Sequence, residues 1–304
     1  MRGEPHFIEE YDVYHDESLV AGYWHGILLV PRSSRQRLLS LLENVRSFTG
    51  YSEPVSLKKL DTLSGKVCRT IRCWLHIGIA ALIQNLKGER YPIFTGEDAR
   101  TPGFDLLSEV IGARFILFRV RNGLGSLSYH LDWGGKVETT FRIAFKGGLA
   151  LFANDGDVLS IRSLHFDGHE HYHRRVDVLR ILGRIGKPPD GVVLSDEMEV
   201  DDRTSDHRKA NCQTHDDCQL LQLTDVFVGG FRTVLGLSTS DAQAEMCRPL
   251  LELADRWNRG HARMKNSKWF RGFCLSEGYL ENGVWQFAVP ARPAKYEQST
   301  FFEK

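Results

Sequence analysis

Asp225 stands inside a run of otherwise apolar residues, Asp216 to Arg232 (DDCQLLQLTDVFVGGFR). At 3.6 residues per turn, Leu220, Leu223, Phe227 and Phe231 make one face, widened by Leu221 and Val228. Cys218, Gln222, Asp225 and Gly229 make a narrow second stripe. A carboxylate in a mostly buried helix is costly unless it is paired with a cation, hydrogen-bonded or bound to a metal. Asp225 is therefore either the partner of an arginine or part of a site. More acids stand where strands are expected to end. Asp16 and Glu17 close YDVYHDES, with Glu17 alternating to the opposite side from Asp16. Asp167 closes VLSIRSLHF ahead of a helical stretch, and Asp196 after GVVL is its rival. Asp217 lies two helical turns before Asp225. Taken singly, each acid also fits a turn or a cap.

A second set is histidine-rich. His165, His169, His171 and His173 surround HFDGHEHYHRR, and alternate histidines on an extended segment could bind a transition metal. At a strand-to-helix junction they read more simply as solvated side chains. Cys212, His215 and Cys218 match no common zinc spacing. No GxxxxGK[ST] loop and no HExxH or HxxEH spacing occurs, which removes P-loop chemistry and the zinc-protease motifs.

The surrounding composition is that of an ordinary globule. Of 304 residues, 42% are hydrophobic and 26% charged, and Lys plus Arg balance Asp plus Glu at 39 each. Zero net charge argues against a broad nonspecific nucleic-acid coat and leaves room for a local basic groove. No apolar run is long enough to span a membrane. MRGEPHFIEEYD lacks the apolar core of a signal peptide, so six free cysteines in a reducing cytoplasm are expected.

The elements that must position these groups follow from periodicity and punctuation. Tyr11 to Ser18 reads as a strand and Tyr23 to Pro31 as its buried hairpin partner. Arg32 to Phe48 predicts a helix capped by Ser33 or Ser34 and ended by Gly50. Glu53 to Leu60 reads as a short extended segment, and Leu63 to Leu86 as one or two helices. Residues 88–105 predict a long loop carrying Glu97, Asp98 and Arg100. Arg114 to Val120, Ser126 to Trp133, Glu138 to Phe145 and Gly148 to Ala153 predict short strands with glycine turns between them. Val158 to Phe166 is the next strand, Arg174 to Ile185 a helix and Gly191 to Leu194 a further strand. Residues 196–217 then read as an acidic loop feeding the Asp225 helix. Thr214 and Asp217 fit a capping box at the start of that helix. Gly229 and Gly230 weaken it by roughly 1 kcal/mol each and so suggest close packing. Ala242 to Met264 predicts a last helix and Gly283 to Val289 a late strand.

An early strand ending in Asp16-Glu17-Ser18, an apolar hairpin partner, and a late helix with Leu221-Gln222-Leu223-Thr224-Asp225 together resemble a known family. It is the RNase H-like family catalogued as domain of unknown function 3800, which has an early DES and a late LQLAD motif; Thr224 stands where the family usually has Ala. The resemblance brackets residues 11–233 and is specific at its two ends. It implies an α/β fold of RNase H-like type: a mixed sheet with helices on both faces. With it come a β-rich insertion at about 88–155 in a domain spanning 1–240, and a helical extension over 241–304 packed on the same domain. It also implies a site in which Asp16 and Asp225, joined by Asp167 from context and Asp217 as a fourth member, hold Mg²⁺ or Mn²⁺. Two such ions about 4 Å apart activate a water and stabilise the leaving oxygen of a phosphodiester. A nuclease of mobile-element or antiviral defence, acting on DNA or RNA, is the expectation. Lys58, Lys59, Arg174 and Arg175 are the candidate phosphate contacts. The alternative is a noncatalytic module of the same fold that binds nucleic acid or a protein partner, and a homo-oligomer is open in either case.

Overall fold

A computed structural model describes residues 8–84, 91–92, 106–107, 109–127, 130–153, 158–167, 180, 183, 188–203, 205–208, 215–237, 240–259 and 272–290. The chain is α/β, built on a seven-stranded mixed sheet. Its strands are β1 (Ile8–Ser18), β2 (Tyr23–Pro31), β5 (Arg114–Val120), β6 (Val158–Asp167), β7 (Val192–Arg203), β8 (Phe273–Glu281) and β9 (Val284–Ala288). Two-residue strands β3 (Tyr91–Pro92) and β4 (Leu106–Leu107) pair separately. The main sheet runs β7-β6-β1-β2-β5-β8-β9. β2 is antiparallel to both β1 and β5, β6 is parallel to β1, β7 to β6 and β8 to β5, and β9 returns antiparallel. Five strands thus end on one edge of the sheet. In open α/β sheets that edge is where ligands bind.

Alternation along β1 separates two helical layers. Tyr14 reaches Asp217 on α4 (His215–Arg232), whereas neighbouring His15 meets Phe141 on α3 (Trp133–Ala153). α1 (Arg32–Thr49) lies on the α4 side, where Arg35 touches Tyr14 and Asp12, and α2 (Gly65–Ala81) packs against α1 and α4. Two short helices, α5 (Asp241–Met246) and α6 (Arg248–Arg259), follow.

α4 is buried on nearly every side. Phe227 packs on Phe115 of β5, and Phe231 stacks on Phe273 of β8 with centroids 4.9 Å apart in each pair. Burying each such side chain stabilises the fold by about 2 kcal/mol. Glycines let neighbouring elements approach α4 closely, Gly26 and Gly230 among them. A Cβ on Gly26 of β2 would lie 2.1 Å from Val228 Cγ2, and one on Gly230 would lie 2.4 Å from Leu250 Cδ1. Gly229 faces only Leu57 at 3.5 Å, so of the glycine pair one member is required by packing.

Several expected elements differ. Residues 133–153 form the single helix α3, where the two short strands Glu138 to Phe145 and Gly148 to Ala153 were expected. Val137, Phe141, Ala144, Phe145, Gly148 and Phe152 line its buried side at helical spacing, and the Gly-Gly pairs lie within it. Among the described residues, the second half of the expected insertion is therefore helical. β7 runs on to Arg203, so the acids from Asp196 to Asp202 belong to a strand, where a loop was expected. Residues 57–59 form a 3₁₀ turn. α1 is preceded by Pro31 with no side-chain cap; Ser33 Oγ donates instead to Glu9 at 2.7 Å. Beyond residue 240, the expected helix divides into α5 and α6. β8 joins the main sheet beside β5, so this part is not a purely helical appendage.

Candidate functional site

Register and helix periodicity bring three carboxylates to the carboxyl edge of the sheet. β1 and β6 are parallel neighbours, with Tyr14 opposite His165 and His15 opposite Phe166. One step further places Asp167 beside Asp16. Asp225 of α4 faces the same spot. Burial together with the Asp225 and Asp167 charges holds the Asp16 carboxyl well above the usual carboxylate range, while the Glu17 backbone N–H opposes the shift. Asp16 is buried at 7% exposure, whereas Asp167 and Asp225 are half-buried, so the cluster is open to solvent on their side. Asp167 Oδ1 accepts from the Ser205 backbone N–H at 3.0 Å. Asp196, its rival, is exposed in the middle of β7. Glu17 points to the opposite face, where it accepts from Tyr23 Oη.

A cation missed by sequence reasoning completes the cluster. Arg232, seven residues after Asp225 and so on the same side of α4, donates from Nη1 to Ser18 Oγ at 2.6 Å. Burial lowers its pKa, and the Asp225 and Asp16 charges oppose that shift. Among the described residues, two buried side-chain polar atoms lack a hydrogen-bond partner: Asp16 Oδ2 and Arg232 Nε. Each such atom in a folded protein calls for an explanation, an ion or water among them. Both lie in this cluster. Among the described residues, no group of three or more His, Cys, Asp or Glu side chains is already spaced to hold a metal ion.

Asp217 does not join these acids. It accepts from Tyr14 Oη at 2.9 Å and from Arg35 Nη2 at 2.9 Å, and lies 3.8 Å from His165 Nε2. Eight residues of helix carry it to the Asp12 end of β1. There Asp12 takes Arg32 Nε at 2.8 Å and Ser163 Oγ at 2.7 Å. Burial, then the Asp217 charge, raises the Tyr14 pKa. His165 is buried and stacked on Tyr14 at 5.0 Å, so it is not a solvated surface histidine. His169, His171 and His173 lie outside the described residues, as does Cys212.

Gln222, the glutamine of the late motif, is a structural tie. Its Oε1 accepts from Arg46 Nη2 at 2.6 Å and Val55 N at 2.8 Å, and its Nε2 donates to Ser205 O at 2.5 Å. It thereby links α1, the 51–57 segment and the segment that holds Asp167. Arg46, stacked over Trp74 at 4.8 Å, is drawn by burial down to about 10.

The opposite face holds a buried histidine pair that periodicity did not single out. Thr140 Oγ1 has one proton and two carbonyl acceptors at 3.0 Å, Lys136 O and Val137 O. It therefore accepts from His25 Nε2 at 2.8 Å. His25 Nδ1 is then bare and accepts from His15 Nε2 at 2.9 Å. Both rings are neutral in this chain of bonds. Burial lowers the His15 pKa to about 3, and burial with the His15 charge lowers that of His25.

Of the expected phosphate contacts, Lys58 and Lys59 are exposed on the 3₁₀ turn that meets α4 at Gly229, and Lys59 Nζ donates to Pro54 O at 3.0 Å. Arg174 and Arg175 lie outside the described residues. Glu53 pairs with Arg208. Five described cysteines (Cys68, Cys73, Cys218, Cys247 and Cys274) are buried. No described helix is long and apolar enough to cross a membrane. No family model matches this chain, and no curated protein is significantly similar to it.

Proposed function

We propose that the chain is an RNase H-like, Mg²⁺- or Mn²⁺-dependent phosphodiesterase acting on nucleic acid, similar to the family catalogued as domain of unknown function 3800. One observation carries the reading. Carboxylates from β1, β6 and α4 meet at the carboxyl edge of the parallel strands, and Asp16 there keeps a buried oxygen with no hydrogen-bond partner. A divalent cation would offer that oxygen a partner and offset the burial and the acid–acid repulsion that raise the Asp16 pKa. Hard carboxylate oxygens suit Mg²⁺ or Mn²⁺. The strand block β7-β6-β1-β2-β5, in which β2 alone runs backwards, is compatible with the RNase H-like reading.

In this reading Asp16, Asp167 and Asp225 hold the cation. When bound there, such a cation would supply Lewis-acid activation of a water and charge for the leaving oxygen. The Ser205 N–H donates to one oxygen of Asp167 and so orients its carboxylate. Gln222 anchors the Ser205 segment and so sets where Asp167 stands. The second reading, a noncatalytic binding module, is favoured by one observation: the described acids are not already spaced around an ion.

Incubation with single- and double-stranded DNA and RNA in Mn²⁺ tests the proposal. Cleavage by the wild type, lost in Asp16→Asn while nucleic-acid binding persists, supports it. Tight binding with no cleavage of any substrate turns the argument to the module, and neither binding nor cleavage removes the nucleic-acid reading altogether.

A further inference from the structure

We infer that Arg232 is the oxyanion receptor of the carboxylate cluster, presenting the Nε–Nη2 edge of its guanidinium to a phosphate group of the substrate. The inference deepens the reading above and rests on it. Arg232 and Asp225 share a side of α4, and Ser18 and Asp16 share a side of β1, so the four residues face one another in pairs across the strand–helix contact. The Ser18 hydroxyl takes Nη1 at 2.6 Å and fixes the plane of the guanidinium. Among the described residues, no hydrogen-bond acceptor meets Nε on the other edge. Nε is buried without an acceptor, and among the described residues neither Asp16 nor Asp225 lies within 4.0 Å of the guanidinium as an ion pair.

A guanidinium is always charged and carries its donors in a rigid fork. Leaving one of its N–H groups buried and unmet is costly, because its lost water is not replaced. The two nearest carboxylates could remove that cost by moving onto the fork, yet they interact with Arg232 only through space. The free edge suits a planar pair of anionic oxygens, as a phosphate supplies. An arginine beside acids that hold cations also solves a charge problem. The acids alone repel a phosphate, whereas a cation held by Asp16 and Asp225 together with Arg232 gives it two positive neighbours.

If Arg232 were only the structural counter-charge of Asp225 and Asp16, its removal would weaken the site as a whole. The receptor role predicts opposite effects on cation and anion. Calorimetry on the full chain separates them, with Mn²⁺ alone as one probe and inorganic phosphate, titrated in saturating Mg²⁺, as the other. Arg232→Gln should bind phosphate at least tenfold more weakly and Mn²⁺ as tightly as wild type or severalfold tighter, because a positive charge has left the acids. Arg232→Lys, which keeps the charge and the fold but not the fork, should fall between for phosphate. Acetate in place of phosphate should bind more weakly to the wild type. Phosphate affinity unchanged in Arg232→Gln, or Mn²⁺ binding weakened in both variants, overturns the inference while leaving the metal site standing. A wild type that binds no Mn²⁺ removes the metal-site reading and this inference with it.

Discussion

Acidification should unfold this protein through His15 and His25, and replacing His15 by Gln should remove much of that sensitivity. His15 is buried on the α3 face, its ring edge-on to Phe141 and Phe166, with Nε2 donating to His25. No acid lies in its hydrogen-bond chain, so nothing there rewards protonation. Burial takes its pKa from the ordinary 6.5 to about 3. A histidine depressed in the fold contributes stability that is complete above 6.5 and is lost as pH falls towards 3. Between pH 7 and pH 4.5 the unfolded chain takes up nearly one proton that the folded chain refuses. Two pH units below 6.5 correspond to about 2.7 kcal/mol of lost stability from this residue. His25 adds a loss of the same sign, since its pKa is also lowered. Gln at position 15 keeps an Nε2 donor for His25 and has no titration. Urea unfolding of wild type and His15→Gln at both pH values gives four free energies. The variant loses ring packing equally at both, so the difference of differences isolates the proton. Wild type should lose about 2–3 kcal/mol more than the variant on acidification. Equal losses would mean that His15 is readily protonated in the fold, and the neutral hydrogen-bond chain through Thr140 would be wrong.

Three further outcomes follow from the packing and the charges. Asp225→Asn should abolish Mn²⁺-dependent cleavage yet melt, without metal, at the same or higher temperature by calorimetry, because Asp16 loses a repelling neighbour; a clear drop would make Asp225 a structural ion-pair partner. Gln222→Ala should cost about 2–3 kcal/mol in chemical denaturation, since Arg46 and Val55 N both lose an acceptor; a neutral change would refute the tie. Gly26→Ala should cost about 2 kcal/mol or more, because its Cβ would meet Val228 Cγ2 at 2.1 Å; Val228→Ala in the same chain should recover part of the loss.

The parts of the fold that a period alone decides were legible in the sequence. β1, β2, α1, α2 and α4 appear where alternation or helical spacing placed them, and Asp16, Asp167 and Asp225 meet because each stood at the end or in the middle of such an element. α3 was misread because Phe, Thr and Val with paired glycines carry β propensity locally, whereas packing against β5 and β2 decides for helix. Asp196, Glu197 and Glu199 of β7 looked solvated, and they are exposed; edge position in the sheet lets a strand be acidic. Asp217 shares a helix with Asp225, but the distance along the axis separates their partners, and spacing within one element says nothing about what lies opposite. Arg232 was hidden for the same reason: its meaning depends on Ser18, 214 residues away.

The late position of α4 has a consequence for synthesis. The β1 face that carries Asp12, Tyr14 and Asp16, and the neighbouring Gly26 groove, are covered by residues 215–232. A ribosome makes the uncovered strands first and the cover some two hundred residues later. Until then the growing chain exposes apolar sheet, the condition in which nascent chains associate or recruit holding factors. Fragments ending before residue 215 should therefore be insoluble, whereas a separately made 215–290 piece would carry the missing cover. The same timing keeps Asp225 away from Asp16 and Asp167 until residues 215–232 have been made.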